Sequence, residues 1–430
     1  MRVLLTGASG FIGGRLLEAL LRGGHRVVTV SRRSTAPGVG AVQHLSKDFS
    51  HALSPSDWGG AVQDIDVVIN AVGILRERGG QRFDTLHHRA PAALFRAAAA
   101  AGVPRVVQIS ALGADEAAGT PYHRSKKAAD DVLRTLPLEG IIVQPSLVFG
   151  PGGASAAMFT MQASQPLIPL PGNGTQVVQP IHIDDLVELV MLLATRPEVA
   201  RGYAGKRLAA VGPAPVTLRE FYARLRQAMG IRAPARYLTV PMGIMRLMAK
   251  AGKWIPGSPL DPDTLAMLER GNAAPVSDTQ AILGRAPRGV DDFVQPGFRA
   301  DVALAARLRW LAPLLRLSVA VVWLVAGVVS LGLYPIQDSL ALLAAAGVPA
   351  VLAPAALYAA AALDLALGLL VLSPWRGRWL WLLQAAVVLG YTIILTVKLP
   401  EFWLHPFGPL AKNLPFLAVL WLLYEIDRKP

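Results

Sequence analysis

Tyr122-His123-Arg124-Ser125-Lys126 sets a phenol and an amine four residues apart. On a helix that spacing puts both side chains on one face. A lysine charge so placed lowers the phenol's pKa and can hold a nicotinamide ribose. The phenol then serves as general acid or base toward an alcohol or carbonyl. Such a pair is common by chance and gains meaning from a second feature. Thr6-Gly7-Ala8-Ser9-Gly10-Phe11-Ile12-Gly13 fits Gly-x-x-Gly-x-x-Gly between an apolar, strand-like run and a helical segment. There Gly7 permits a tight turn, Gly10 lets backbone approach a pyrophosphate, and Gly13 lets the helix pack on a sheet. The anion sits on free N–H groups at the helix N-terminus. Thr6, Gly7, Ser9, Gly10, Phe11, Ile12 and Gly13 are therefore expected to contact a dinucleotide.

Which dinucleotide is read from the end of the second strand, Val30-Ser31-Arg32-Arg33. An NAD site usually carries an acidic residue there for the ribose hydroxyls. Here Ser31 stands in that place, and Arg32 and Arg33 suit a 2′-phosphate. NADP(H) is expected, with NAD as the alternative; the plainer reading of both arginines is solvated loop charge. Asp48, after the third strand, is placed to accept from an adenine amino group. Asn70-Ala71-Val72-Gly73 ends the fourth strand, where small residues (Ala71, Gly73) let backbone pass close to the cofactor. A loop Asp and a strand-terminal Asn are equally at home as turn caps.

The elements that position these residues alternate. Val3–Thr6, Arg26–Ser31, Val67–Asn70, Val106–Ser110 and Ile141–Pro145 read as buried strands. Phe11–Leu21, Thr85–Ala101 and Ser125–Leu136 are helix-length segments between them. That order predicts βαβ units: an α/β Rossmann, doubly wound parallel sheet over residues 1–150. Residues 151–300 are richer in Pro and Gly and read as a small substrate lobe interleaved with that core. Helical stretches fall near Asp184–Thr195, Leu218–Met229 and Asp263–Arg270. Residues 301–430 read as an all-α transmembrane bundle of about four helices. Its spans are Leu317–Tyr334, Val348–Leu372, Trp379–Val397 and, weakest, Phe407–Tyr424, where Lys412 and Asn413 intrude. Each has about the length that crosses a bilayer, and Ser339–Ala346 reads as a short interfacial helix. Arg376 and Arg378 follow the second span, and Arg428 and Lys429 the fourth. Positive-inside logic then puts both ends in the cytoplasm, although Lys398 opposes it mildly. No signal peptide precedes the first strand, so the expected location is multi-pass in the inner membrane with the Rossmann part cytoplasmic.

Composition removes several functions. The 430 residues contain no cysteine, which excludes disulfides, thiolate zinc sites and a Cys nucleophile. His87 and His88 are adjacent and point to different faces, so they form no zinc pair and read as structural or surface residues. His182 lacks enough further ligands, and Asp184 beside it reads as a helix cap; no metal site is expected. The net charge of +13 lies in no long basic run and has no aromatic interleaving. Nucleic acid is not the expected partner; an anionic membrane face is. Asp364, inside an apolar span, is expected to face a cavity or to pair with a polar residue such as Gln384.

Taken together, the turn and the Tyr122/Lys126 pair resemble the short-chain dehydrogenase/reductase superfamily in its extended and atypical, epimerase-like branch. Pro145-Ser146-Leu147-Val148-Phe149-Gly150-Pro151-Gly152 resembles that branch's turn into the substrate lobe. Pro180-Ile181-His182-Ile183-Asp184-Asp185 resembles a later helix-opening motif. Ser110-Ala111-Leu112-Gly113 with Tyr122–Lys126 looks like the subgroup near an accessory nucleotide-binding subunit of respiratory complex I. The tail resembles DoxX-like domains at Gln384, Tyr391-Thr392, His405-Pro406-Phe407-Gly408-Pro409-Leu410 and Lys412-Asn413-Leu414-Pro415. The resemblance implies Tyr122 as acid/base, Lys126 as its tuner and ribose clamp, Ser110 as partner of the substrate oxygen, and Pro145 and Ser146 near the cofactor. One departure stands out: extended members often carry the hydroxyl a residue or two later, where this chain has Ala111 and Leu112. The implied function is a membrane-anchored NAD(P)(H)-dependent oxidoreductase or epimerase-like enzyme acting on a lipophilic or quinone-related molecule. The alternative is a non-catalytic NADP(H)-binding structural or redox-sensing protein, with a protein partner in a respiratory or quinone pathway.

Overall fold

The structure is a computed structural model that describes residues 1–31, 41–252, 254 and 260–428. It divides into two compact units, residues 1–306 and 307–430. The first opens with β1 (Arg2–Thr6), α1 (Phe11–Arg22), β2 (Arg26–Ser31), β3 (Val42–Ser46) and β4 (Val67–Asn70). A π-helical turn, Asp84–Arg89, runs into α2 (Ala90–Ala100), followed by β5 (Arg105–Ile109), α3 (Pro121–Arg134) and β6 (Glu139–Pro145). Next come β7 (Val148–Phe149), α4 (Ala154–Ser164), β8 (Ile168–Pro171), β9 (Val177–Val178), β10 (Ile181–His182), α5 (Ile183–Thr195) and α6 (Pro197–Ala200). The unit continues through β11 (Arg207–Ala210), β12 (Val216–Thr217), α7 (Leu218–Ala228), β13 (Tyr237–Val240), α8 (Met242–Gly252), α9 (Pro262–Arg270) and α10 (Ser277–Leu283).

Seven strands form one sheet in the order β11-β6-β5-β4-β1-β2-β3, and every pairing in it is parallel. Its inner strands are continuous apolar runs because both faces are covered. On one face Val3, Leu5, Ile69 and Ile141 pack with Leu16 and Leu20 of α1 and Leu186 and Leu189 of α5. On the other, Leu4, Val68 and Val106 pack with Leu94 and Phe95 of α2 and with Trp58. The chain winds outward from β1 to β3 and then returns to place β4 beside β1. That reversal opens a crevice at the carboxyl ends of the two strands, where doubly wound sheets take their ligands. The lobe has its own core, in which Phe159 of α4 and Phe221 and Leu225 of α7 meet Phe149 and Phe293.

The second unit is helical. It holds most of α11 (Arg299–Val328), then α12 (Ile336–Ala345), α13 (Ala353–Leu372), α14 (Arg378–Lys398) and α15 (Asn413–Ile426). Among the described residues, three helices are long and apolar enough to cross a membrane: Pro296–Leu333, Ala353–Leu372 and Arg378–Lys398. Small residues let α11 and α13 approach. A Cβ on Gly368 would lie 2.7 Å from Leu324, and one on Gly327 2.7 Å from Leu365. The fourth expected span differs from the sequence reading, because only the 14 residues Asn413–Ile426 are helical. At 1.5 Å per residue that is about 21 Å, short of a hydrocarbon core. The chain ahead of it turns at Gly408, where φ is +52°. The helix still returns along α14. Asn413 Nδ2 donates to Thr392 Oγ1 at 2.8 Å, and Asp427 pairs with Arg316 and accepts from Trp381 Nε1 at 2.9 Å. The expected Asp364–Gln384 pairing is not formed. Gln384 Oε1 accepts from Trp323 Nε1 at 2.6 Å, and Asp364 Oδ1 has no hydrogen-bond partner among the described residues.

Candidate active site

The crevice between β1 and β4 is lined by the glycine turn. Gly7 has φ +75°, and a Cβ there would sit 2.7 Å from the Ala71 carbonyl. A Cβ on Gly13 would sit 2.0 Å from Gly7 O, so α1 can lie this close only with glycine. Gly10 caps α1 without any side-chain hydrogen bond, and Ser9 and Gly10 are exposed. The first-turn N–H groups, with Phe11 and Ile12 half-buried beside them, are open to an anion. These features fit a dinucleotide pyrophosphate.

Around the turn, several side chains are committed elsewhere. Thr6 Oγ1 donates to Asn70 Oδ1 at 2.5 Å, and Asn70 Nδ2 donates to Gln108 Oε1 at 2.6 Å, so Thr6 and Asn70 tie β1, β4 and β5 together. Ser31 Oγ lies 3.4 Å from His44 Nε2. Arg32 and Arg33 lie outside the described residues. Asp48 caps a turn, accepting from Ser50 N at 2.8 Å and Ser50 Oγ at 2.6 Å. Pro145 O accepts from Leu112 N at 2.9 Å, and Ser146 Oγ donates to Gln179 O at 2.5 Å, pinning the core to the lobe.

Thr120 caps α3 by accepting from His123 N at 3.3 Å, and Pro121 occupies the first turn. Tyr122 and Lys126 follow, one turn apart. Lys126 is buried, and its Nζ donates to Val72 O at 3.1 Å and Ile109 O at 3.0 Å. Burial pulls the ammonium down to about 8 against the opposing pull of Asp130. Burial, aided by Asp130, pushes the Tyr122 phenol up to about 12. The expected lowering by Lys126 is thus absent, the shift being set by burial and by Asp130. Gly73 leaves room for Lys126: a Cβ there would lie 3.2 Å from Nζ.

Ser110 is buried, and its hydroxyl donates to Asp130 Oδ2 at 2.6 Å. Its proton points two turns along α3 from Tyr122, not at an incoming oxygen. Asp130 is itself fully buried, and burial raises its carboxyl to about 7 against Ser110, Lys126 and Arg207.

His87, read from the sequence as structural or surface, is fully buried at the heart of this cluster. Ile74 N donates to His87 Nε2 at 2.9 Å, which fixes the neutral tautomer with its proton on Nδ1. That nitrogen lies 3.0 Å from Ser125 Oγ, whose hydroxyl in turn donates to Tyr122 O at 2.8 Å. Burial and the nearby Lys126 charge lower His87 to about 2, so the ring stays neutral. The ring stands edge-on to Tyr122, centroids 5.4 Å apart. A cleft of about 210 Å³ lined by Leu112, Gly113, Asp115, Arg270 and Asn272 opens between the core and the lobe. Arg270 spans it, donating to Gly113 O at 2.9 Å and to both Asp115 oxygens at 2.8 and 2.7 Å. Among the described residues no cluster of three or more His, Asp or Glu could hold a metal.

Residues 3–204 match the NAD dependent epimerase/dehydratase family, and residues 320–421 match the DoxX-like family. Among curated proteins, the chain is 27% identical over 202 residues to the ceramide reductase of Caulobacter vibrioides, covering 45% of this chain and 61% of that one. It is 29% identical over 251 residues to NADH dehydrogenase [ubiquinone] 1 alpha subcomplex subunit 9, mitochondrial, of Arabidopsis thaliana, covering 56% and 61%. The chain thus spans about three fifths of the length of these relatives. Among solved structures, a nucleoside-diphosphate-sugar epimerase from Staphylococcus aureus superposes with TM-score 0.55 at 17% identity, covering 69% of this chain and all of that one. UDP-glucuronic acid 4-epimerase from Bacillus cereus, with UDP-glucuronic acid and NAD, gives TM-score 0.50 at 19% identity, covering 72% and 100%. At such identities these structures speak for the fold alone.

Proposed function

We propose that this chain, an epimerase-type short-chain dehydrogenase/reductase domain joined to a DoxX-like membrane domain, is a membrane-held NAD(P)(H)-dependent oxidoreductase acting on a lipophilic carbonyl or alcohol. The observation that carries this reading is Tyr122 one turn from buried Lys126, above which the open N-terminus of α1 and the turn at Gly7 and Gly10 form a dinucleotide cradle. A nicotinamide dinucleotide bound there supplies or accepts hydride. Tyr122 gives or takes the proton at the substrate oxygen; its high pKa in the unliganded protein suits a donor. Lys126, held by Val72 O and Ile109 O, orients the ribose. Ser31 in place of an acid, followed by Arg32 and Arg33, favours NADP(H) over NAD.

A lipid-like substrate is supported by the name of one relative, ceramide reductase, and a quinone-related one by the NADH dehydrogenase [ubiquinone] subunits. The chain carries its own membrane segment, which raises its concentration near bilayer-dissolved molecules. Arg307, Arg309 and Arg316 in the first half of the helix that makes the first crossing, and Arg376 and Arg378 about the start of the third, favour a cytoplasmic nucleotide-binding part under the positive-inside rule. A second reading, an NADP(H)-binding module without turnover beside a protein partner, is favoured by Ser110, whose proton is committed to Asp130. One experiment separates them. Lipid-reconstituted protein is loaded with NADPH and mixed in a stopped-flow instrument with quinones and lipophilic carbonyls. The enzyme reading expects fluorescence decay with one acceptor class, slowed about 10²- to 10⁴-fold in Tyr122→Phe with nucleotide affinity kept. A bound signal stable against the whole panel sinks it.

A further inference from the structure

We infer that the outer face of α8, continued by Trp254, seats on the headgroup–acyl boundary of an anionic lipid bilayer. The helix has three faces. Met245 and Ala249 are buried against Leu265 of α9. Ile244, Leu247, Met248 and Ala251 follow the i, i+3, i+4, i+7 spacing of a second face. That face is open: Ile244 is 50%, Leu247 68% and Met248 51% exposed. At about 100° per residue, Arg246 and Lys250 fall on a third side, next to Leu247. Trp254, just beyond the helix, is 86% exposed, and Leu238 of the strand before it is 52% exposed. Single exposed apolar residues are ordinary, but a continuous stripe of them marks an interface.

Charge decides what that interface meets. From Ile231 to Leu260 the sequence contains Arg232, Arg236, Arg246, Lys250 and Lys253 and no Asp or Glu. A second copy docking by the same face would set cations against cations. An anionic bilayer complements them, with lysine and arginine stems reaching to the headgroups and the tryptophan at the boundary. The same polypeptide continues into three helices of membrane-crossing length, so a bilayer is within its reach. One consequence rests on the proposed activity: α8 leads into α9, whose Arg270 spans the cleft at Gly113, so a seated α8 brings lipid-dissolved substrate toward Tyr122.

The chain has no cysteine, so a single nitroxide can be placed at will. Full-length Met248→Cys and, as a solvent control on α6, Glu198→Cys are labelled and reconstituted in phosphatidylcholine–phosphatidylglycerol vesicles. Collision rates are measured with oxygen and with a water-soluble nickel chelate. The expected result is a several-fold higher oxygen-to-nickel ratio at 248 than at 198, returning toward the control value when Ile244→Asp and Leu247→Asp are added. A label at 248 as open to nickel as that at 198 overturns the seating. So does a label shielded from both reagents, which means a protein covers the face. NADPH binding followed in the same vesicles tests the catalytic reading alone, so the two can fail separately.

Discussion

Asp130 holds its proton to about pH 7, although a carboxyl ordinarily lets go near 3.8. Folding therefore takes up a proton between those values. Its contribution to stability falls as pH rises from about 4 to 7, and the cost is complete above 7. Asp130→Asn keeps an acceptor for Ser110 and removes that cost. The variant should match its parent near pH 4 and unfold at higher temperature from pH 7 upward. The ceiling is about 4 kcal/mol at 1.36 kcal/mol per unit. A gap widest at pH 4 would show that burial is not the cause. His87 works in the opposite direction. Its unfolded pKa is 6.5 and its folded value about 2, so the folded state refuses a proton that the unfolded chain accepts. Its contribution is full above 6.5 and is lost as pH falls below it, by up to about 1.4 kcal/mol per pH unit. His87→Gln should flatten the acid limb of the stability curve between pH 6 and 4, measured by urea unfolding beside the parent. An unchanged slope would mean that the buried ring titrates normally.

The elements explain why part of this site was legible and part was not. Tyr122 and Lys126 were readable because their relation is local: four residues on a helix whose cap and proline lie just ahead. The glycine turn was readable for the same reason. Its three glycines nevertheless carry different loads, which gives a graded prediction. A Cβ on Gly13 collides with Gly7 O at 2.0 Å, whereas one on Gly10 meets the same oxygen at 3.2 Å, within reach of a small adjustment. Gly13→Ala should destabilise the fold by several kcal/mol, in the manner of an overpacked core. Gly10→Ala should leave the melt nearly unchanged and weaken binding of a reduced nicotinamide dinucleotide, read by fluorescence titration. Equal melts for the two variants would refute the geometry. The sequence left open whether His87 is structural or at the surface, because tertiary context sets its surroundings. The rule that neighbours face apart held, since His88 lies outside with Asp84 3.0 Å from its Nδ1. Which of the two would be inward followed from a π-helical turn, a form that a 3.6-residue period does not reveal. The Ser110–Asp130 bond joins residues 20 apart, and the lobe's strands are as short as two residues, too few for alternation to show.

At the scale of the whole chain, the membrane unit makes sidedness testable. Residues 399–427 begin where α14 ends and return to its start: Asp427 pairs with Arg316, and Arg378 Nε donates to Tyr424 O at 3.3 Å. The ends of the first and third crossings that carry these arginines therefore share a level with the end of α15. α15 thus runs antiparallel to α14, though among the described residues only three helices have membrane-crossing length and α15 has 14 residues. If the arginines mark the cytoplasmic face, Arg376 and Arg428 lie there, and Leu404, 89% exposed after the third crossing, lies on the other side. The absence of native cysteine makes this directly measurable. Single cysteines at 376, 404 and 428 are probed with a membrane-impermeant maleimide in intact cells and in inverted vesicles. Position 404 should react in cells, and 376 and 428 only in inverted vesicles. Reaction of 428 in intact cells would mean that the short helix does not bring the chain back. Reaction of 376 there would invert the whole arrangement and move the dinucleotide crevice away from the compartment that supplies its cofactor.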